Sequence, residues 1–199
     1  AEAFFNIRTL KTVTIKADAA NIGEEAFEGH ADGAVFKFST KDSAKKAEMI
    51  RMITPDGAAF ADKKGFTYEI IDVAGTVRVT GLTDAVRAKT KLMSLSIPAT
   101  VEFRGGKYSV TAIADEAFQG CGNIKSVTIP VPVTTIGASA FAGAANLKTI
   151  TIKSPSIETV GAGAFDGIAA GAVFKLSMKK AQKEAVKEKL TEAGYTNIR

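Results

Sequence analysis

Along residues 134–152, TTIGASAFAGAANLKTITI, the apolar positions Ile136, Phe141, Leu147, Ile150 and Ile152 stand out from a background of Gly, Ala and Thr. The same spacing returns in TAIADEAFQGCGNIKSVTI (111–129), and its first half returns in ETVGAGAFDG (158–167) and ANIGEEAFEG (20–29). In each copy an aliphatic residue stands five places before a phenylalanine: Ile22 and Phe27, Ile113 and Phe118, Ile136 and Phe141, Val160 and Phe165. Phe118, Phe141 and Phe165 are 23 and 24 residues apart. A period in the 20s predicts a solenoid, whose coils bury their apolar faces only against one another.

The second half of each unit reads L-x-x-I-x-I: Leu10, Val13, Ile15; Leu92, Leu95, Ile97; Ile124, Val127, Ile129; Leu147, Ile150, Ile152. Alternation over the last positions predicts a strand with one buried face. Stacked coils then place these strands side by side in a parallel sheet. Its outward face carries a ladder of hydroxyls from Thr12, Thr14, Ser94, Ser96, Ser126, Thr128, Thr149 and Thr151. The AF pair is expected on a short helical turn, with the following glycine releasing the chain at positive φ.

A longer duplication relates residues 10–47 to 147–185, and each copy ends in GAVFK followed by a helical pattern. In the second copy Ser177 is the expected helix cap, Met178, Ala181, Ala185, Val186 and Leu190 the apolar face, and Gly194 the stop. Two modules are expected. Residues 1–58 end a repeat array and carry a capping helix over about 41–53. Residues 59–199 contain strands at 66–83 leading into the array, repeats over 92–176 and a capping helix over about 177–193. Within the second module EFRGGKYSV (102–110) reads as an inserted hairpin with Gly105-Gly106 as its turn.

Composition is that of a folded protein, 46% hydrophobic and 24% charged. No apolar run approaches the roughly 20 residues that span a bilayer. The N-terminus has neither an initiator methionine nor the order of a signal peptide, so the expectation is a piece of a longer chain. A single cysteine, Cys121, rules out an intrachain disulfide. Net charge is +5, from 26 Lys and Arg against 21 Asp and Glu. The lysine-rich stretches 39–52 and 177–190 interleave acids and read as solvated helix faces; with few arginines and no tryptophan, a nucleic-acid partner is not expected.

The repeat units resemble the BspA-like leucine-rich repeats of bacterial surface proteins. The resemblance is carried by Ile129-Pro130 through Ile152, by SIPATVEFRGGKYSVTAIADEAFQGCGNIKSVTIP as an array start, and by AVFKLSMKKAQKEAVKEKLTEAGY as a lysine-rich terminal helix. It covers about 10–53 and 92–195. It implies an α/β repeat fold: a right-handed leucine-rich-repeat solenoid with parallel β-strands, short helical turns and terminal capping helices. It also implies an extracellular or cell-surface location and adhesion to host or matrix proteins. Only Cys121 fills the cysteine-after-glycine position frequent in that family; His30, Ala144 and Ile168 fill it elsewhere, so the position reads as core filling.

Chemistry is sparse. One histidine, His30, rules out histidine triads and His-rich metal sites. Cys121 has no partner histidine nearby and reads as a packing thiol. Asp115-Glu116, Glu24-Glu25 and Glu102 are the carboxylates available for a glycosidase-like acid and base, but Asp115 and Glu116 align with Ala138 and Ser139 and read as an exposed turn. RGGK (104–107) and VGAGAF (160–165) lack the order of a phosphate loop. The expectation is a non-enzymatic module without cofactor or metal, with a protein partner. Two faces are candidates: the hydroxyl ladder, and the hairpin residues Phe103, Arg104 and Tyr108, whose types recur as interface anchors. The alternatives are a structural spacer, and a carbohydrate-binding module built on Tyr108, Phe103 and nearby carboxylates.

Overall fold

A computed structural model describes residues 12–15, 35–39, 42–54, 57–72 and 75–199. The first copy of the duplication contributes β1 (Thr12–Ile15) and β2 (Val35–Phe38), a parallel pair in which Thr12 faces Val35 and Thr14 faces Lys37. Helix α1 (Ser43–Ile53) follows. Its first turn is satisfied by Asp42, whose Oδ1 accepts from the Ala44 and Lys45 amides at 2.9 and 3.2 Å. Leu10, Ile22, Phe27, Glu24, Glu25 and His30 lie outside the described residues.

Strands β3 (Ala59–Ala61), β4 (Phe66–Asp72) and β5 (Thr76–Leu82) form an antiparallel run. Period-2 burial puts Phe66, Tyr68, Ile70, Val77 and Val79 in the core. The one-turn helix α2 (Asp84–Arg87) leads to β6 (Met93–Ser96). Next come β7 (Thr100–Phe103), β8 (Gly106–Ile113), β9 (Ile124–Ile129), β10 (Thr135–Ile136), β11 (Thr149–Ile152), β12 (Thr159–Val160), β13 (Val173–Leu176) and α3 (Lys180–Glu192). One sheet runs β12-β10-β8-β5-β4-β3, parallel from β12 to β5, with β7 paired antiparallel to β8. A second, all-parallel sheet has the order β13-β11-β9-β6. Each coil therefore gives one strand to each sheet, and the AF turn closes it.

Between the sheets the repeat phenylalanines stack. Phe118 and Phe141 lie 5.0 Å apart at 16°, Phe141 and Phe165 5.1 Å apart at 2°. Ile136, Leu147, Ile150 and Ile152 are all fully buried beside them. Burial of such side chains stabilises by about 1.5–3 kcal/mol each, so the shared core is the main source of cohesion between coils.

The AF segments are turns rather than the short helical turns expected, and their hydrogen bonds show why. The amides of Glu116, Phe118 and Gly120 donate to the carbonyls of Ala138, Ala140 and Ala142 in the next coil, at 2.9, 2.7 and 2.8 Å. Those of Ser139, Phe141 and Gly143 repeat this toward Ala162, Ala164 and Asp166. Only the alternate amides, of Ala117, Gln119 and Cys121, close turns along the chain, to Ala114 O, Glu116 O and Phe118 O at 3.4, 3.0 and 3.2 Å, so no continuous helix forms. The spacing is so tight that a Cβ on Gly137 would sit 2.5 Å from the Asp115 amide nitrogen, and one on Gly161 2.4 Å from that of Ala138. Gly120, Gly143 and Gly167, after the phenylalanines, have positive φ as the pattern required.

Three other expectations are corrected. The hairpin turn is Arg104-Gly105, one place earlier than expected: Phe103 pairs with Gly106, and φ is 48° at Arg104 and 81° at Gly105, the two positive values of a type I′ turn. Ser177 does not cap α3; its amide donates to Ile152 O and extends the sheet, so the helix starts at Lys180 with Ala181 and Ala185 exposed and only Val186 and Leu190 deeply buried. Leu92 is 47% exposed where its counterparts Ile124 and Leu147 are buried, because β6 is the edge of its sheet and no described strand pairs beyond it.

Candidate functional site

The β13-β11-β9-β6 sheet turns its polar side outward in a regular grid. Ser94, Ser126 and Thr149 share one row, continued by Val173. Ser96, Thr128, Thr151 and Lys175 share the next. Rows two residues apart on a strand are about 6.6 Å apart, and neighbours across strands about 4.8 Å. Ser94 and Ser96 are exposed; Ser126, Thr128, Thr149 and Thr151 are half-buried by their neighbours in the grid. The hydroxyls of Ser126 and Ser94 are linked at 2.9 Å. The structure thus brings six of the eight predicted hydroxyl residues onto one face. Thr12 and Thr14, also exposed, belong to the separate β1-β2 pair, where Thr14 has the same relation to Lys37 that Thr151 has to Lys175.

Of the three hairpin residues Tyr108 is buried, while Phe103 and Arg104 are half-buried and line an open pocket of about 590 Å³ with Lys63, Lys64 and Glu102. Tyr108 is 1% exposed, and burial raises the pKa of its hydroxyl, which keeps it neutral in the core. Phe103 stacks on Phe60 at 4.1 Å and 7°. Arg104 donates to the Ile53 carbonyl, and its guanidinium stands over the rings of Phe36 and Phe103 at 5.7 and 5.0 Å. These three side chains fasten the hairpin to the end of α1 and to β2 and β3. Their residue types signalled an interface, and the ring and guanidinium contacts named here are internal ones, made by side chains of which Phe103 and Arg104 keep a half-exposed side.

Two of the remaining chemical candidates, Cys121 and Asp115, hold structural positions. Cys121 is buried and its pKa is raised by burial, so it is held as the neutral thiol rather than the nucleophilic thiolate. Asp115 Oδ1 accepts from the Ala138 amide at 2.7 Å, which ties one coil to the next. Glu116 and Glu102 are exposed. Among the described residues no cluster of His, Cys, Asp or Glu could hold a metal ion, and no helix is long and apolar enough to cross a membrane.

Two asparagines within the repeat text went unassigned in the reading of the sequence. Asn146 Nδ2 donates to Gly122 O at 2.7 Å, and Asn123 Nδ2 to the carbonyls of Val86 and Lys89 at 3.1 and 2.9 Å. Each thus binds the coil or turn before it and fixes where the following strand enters the sheet. Their recurrence 23 residues apart, in GNI and ANL, was the available signal.

Six copies of a family model, the BspA type leucine-rich repeat region, match residues 1–46 and 80–188. The chain belongs to this family. BspA-type repeats therefore account for both copies of the internal duplication, with the β3-β4 region lying between the matched stretches. Solved structures similar to this BspA-type chain include a leucine-rich repeat protein from Bacteroides ovatus, at 24% identity over 59% of this chain and 37% of that one, with a TM-score of 0.40. Another is a leucine rich cell surface protein from Faecalibacterium prausnitzii, at 26% identity over 62% of this chain and 33% of that one, TM-score 0.46. A leucine-rich repeat protein from Bacteroides capillosus matches at 23% identity over 60% of this chain and 97% of its own, TM-score 0.41. The present chain thus spans little more than a third of the first and a third of the second. No curated protein matches.

Proposed function

We propose that this chain is a non-enzymatic binding module of a secreted or surface-displayed bacterial protein, and that it contacts a protein partner through the outward face of β13-β11-β9-β6. The observation that carries this is the grid itself: Ser94, Ser96, Ser126, Thr128, Thr149 and Thr151 stand in register on a face that no other described element covers. Small hydroxylated side chains leave the sheet open to close approach while offering a donor and an acceptor at each node. Membership of a repeat family found in bacterial surface proteins supports the extracellular setting and adhesion to host or matrix proteins. In this reading the coils wind right-handed, as parallel crossovers do, and α1 and α3 close the ends of their arrays.

Binding to immobilised matrix and host-surface proteins tests this. Thr128, Thr149 and Thr151 are changed together to Glu and, separately, to Lys, and melting temperatures establish that the fold survives. Weakened capture by either variant supports the face; capture unchanged by both overturns it. A spacer role predicts no saturable binding to any member of the panel. A carbohydrate-binding role predicts signal on a glycan array instead.

A further inference from the structure

The charges around the hydroxyl grid are of one sign. Strands β6, β9, β11 and β13 and their flanking residues contain no carboxylate: the chain has no Asp or Glu between Asp84 and Glu102, between Glu116 and Glu158, or between Asp166 and Glu184. The same stretches place Lys89, Lys91, Lys125, Lys148, Lys153 and Lys175 in or beside the sheet, all exposed. These six lysines alone exceed the net charge of +5 carried by the whole chain. The ion pairs formed among the described residues are elsewhere, Arg78 with Glu69 on β5 and β4 and Lys189 with Glu192 on α3. Lys125 and Lys148 are neighbours, since the Lys148 amide donates to the Lys125 carbonyl at 2.9 Å. Lys175 continues the row of Ser96, Thr128 and Thr151.

Like charges on adjacent strands repel, and the ion pairs at Arg78 and Lys189 do not reach these lysines. A folded sheet that tolerates this gains the interaction only when an anionic surface covers it. The apolar side chains at its margins show what kind of surface. Leu92, immediately before β6, is 47% exposed, and Val131, shortly after β9, is 57% exposed; with Ile71 on β4 they are the exposed large hydrophobics among the described residues. Apolar contacts at opposite ends of the strands and cations among hydroxyls suit a protein that presents carboxylates and apolar side chains together. A linear anionic polysaccharide would use the cations and the hydroxyls and leave the apolar margins uncovered.

We infer, resting on the sheet-face reading of the function, that the partner is an acidic protein segment whose carboxylates are met by Lys125, Lys148 and Lys175 over the hydroxyl grid. The full chain is titrated with a synthetic peptide of alternating Glu and Val, with its analogue carrying Gln in place of Glu, and with heparin. The Glu peptide is expected to bind and the Gln peptide to bind on the order of tenfold more weakly, with affinity falling as salt rises because exposed pairs are screened. The triple change Lys125→Glu, Lys148→Glu and Lys175→Glu is expected to weaken the Glu peptide on the order of tenfold. The pair Lys180→Glu and Lys187→Glu on α3 should leave it within about twofold. Equal binding of the two peptides, no binding of either, or equal losses in the two lysine variants overturns the inference; heparin held in preference to the Glu peptide overturns it in favour of an anionic polysaccharide. For a protein partner found by the panel, Thr128→Glu and Thr128→Lys separate this inference from the reading beneath it. An acidic partner is weakened by Glu alone, a partner that is not acidic is blocked by both, and indifference to both overturns the face itself.

Discussion

The ladder between the AF turns has two ends, and they need opposite chemistry. Within the array each turn donates three amides to the next coil, so the first turn is left with unclaimed carbonyls and the last with unclaimed amides. At the first end Arg87, from α2, supplies the donors: its Nη2 reaches Ala117 O at 2.8 Å and its Nη1 Gln119 O at 3.4 Å, the positions that Ala140 and Ala142 occupy in the next coil. At the last end the Phe165 amide, equivalent to those of Phe118 and Phe141, donates to the hydroxyl oxygen of Tyr195 at 2.9 Å. The Tyr195 ring meets Phe165 edge-on at 5.4 Å and ends the aromatic stack. The second sheet is finished on the same side, where residues 197–199 pair with β13: the amides of Phe174 and Leu176 donate to Asn197 O and Arg199 O. A parallel stack of backbone has polarity, so a donor-only side chain serves one end and an acceptor serves the other.

The largest expected effect lies between the ends. Phe141→Ala removes the ring that touches both neighbouring phenylalanines and leaves a cavity in a fully buried stack, at a cost of about 3–5 kcal/mol. Chemical denaturation measures it, and hydrogen exchange should show the Phe118 and Phe141 amides losing protection together, because the ladder and the stack hold the same interface. A loss confined to one amide would mean that the coils are held independently of the rings. Arg87→Met, next in size, leaves the Ala117 and Gln119 carbonyls without their charged donor. Because Arg87 is itself exposed, water replaces part of the bond, and the expected loss is about 1–2 kcal/mol. Arg87→Lys should recover less than half, since an ammonium cannot fork to two carbonyls and to Leu82 O as the guanidinium does.

Most of the array was legible because its physics is periodic. The inward residues of β9 and β11, the phenylalanine stack and the hydroxyl rows each follow from a spacing repeated along the text. What escaped was aperiodic or depended on partners far off in sequence. Arg87 lies 30 residues from Ala117 and Tyr195 30 from Phe165, and each occurs once, so no repeat marks them. Tyr108 looked like a surface anchor by residue type, yet as an inward position on β8 it belongs to the core. The helical reading of the AF turns failed for a related reason: local sequence can favour a turn, but only the neighbouring coil decides where its amides go.

Tyr195→Phe gives the smallest change and the most specific one. It keeps the ring against Phe165 and Phe174 and removes only the hydroxyl, which accepts from the Phe165 amide and donates to Asp166 Oδ1 at 3.5 Å, leaving that amide without its partner at a cost of about 1 kcal/mol. The phenol also titrates. Burial, first, raises its pKa above the ordinary 10.0, the Phe165 amide works against this, and the Asp166 carboxylate adds to it. A raised pKa in the folded state means that its contribution is fully present below pH about 10 and is lost as pH rises through the folded value. Phenylalanine carries no such dependence, while Tyr68 and Tyr108 titrate in both proteins. The stability difference between wild type and Tyr195→Phe should therefore hold constant from about pH 6 to 9 and shrink above about pH 10. Urea unfolding across that range measures it; a difference that stays constant to about pH 11.5 would show that burial and Asp166 do not hold the folded phenol above its ordinary pKa.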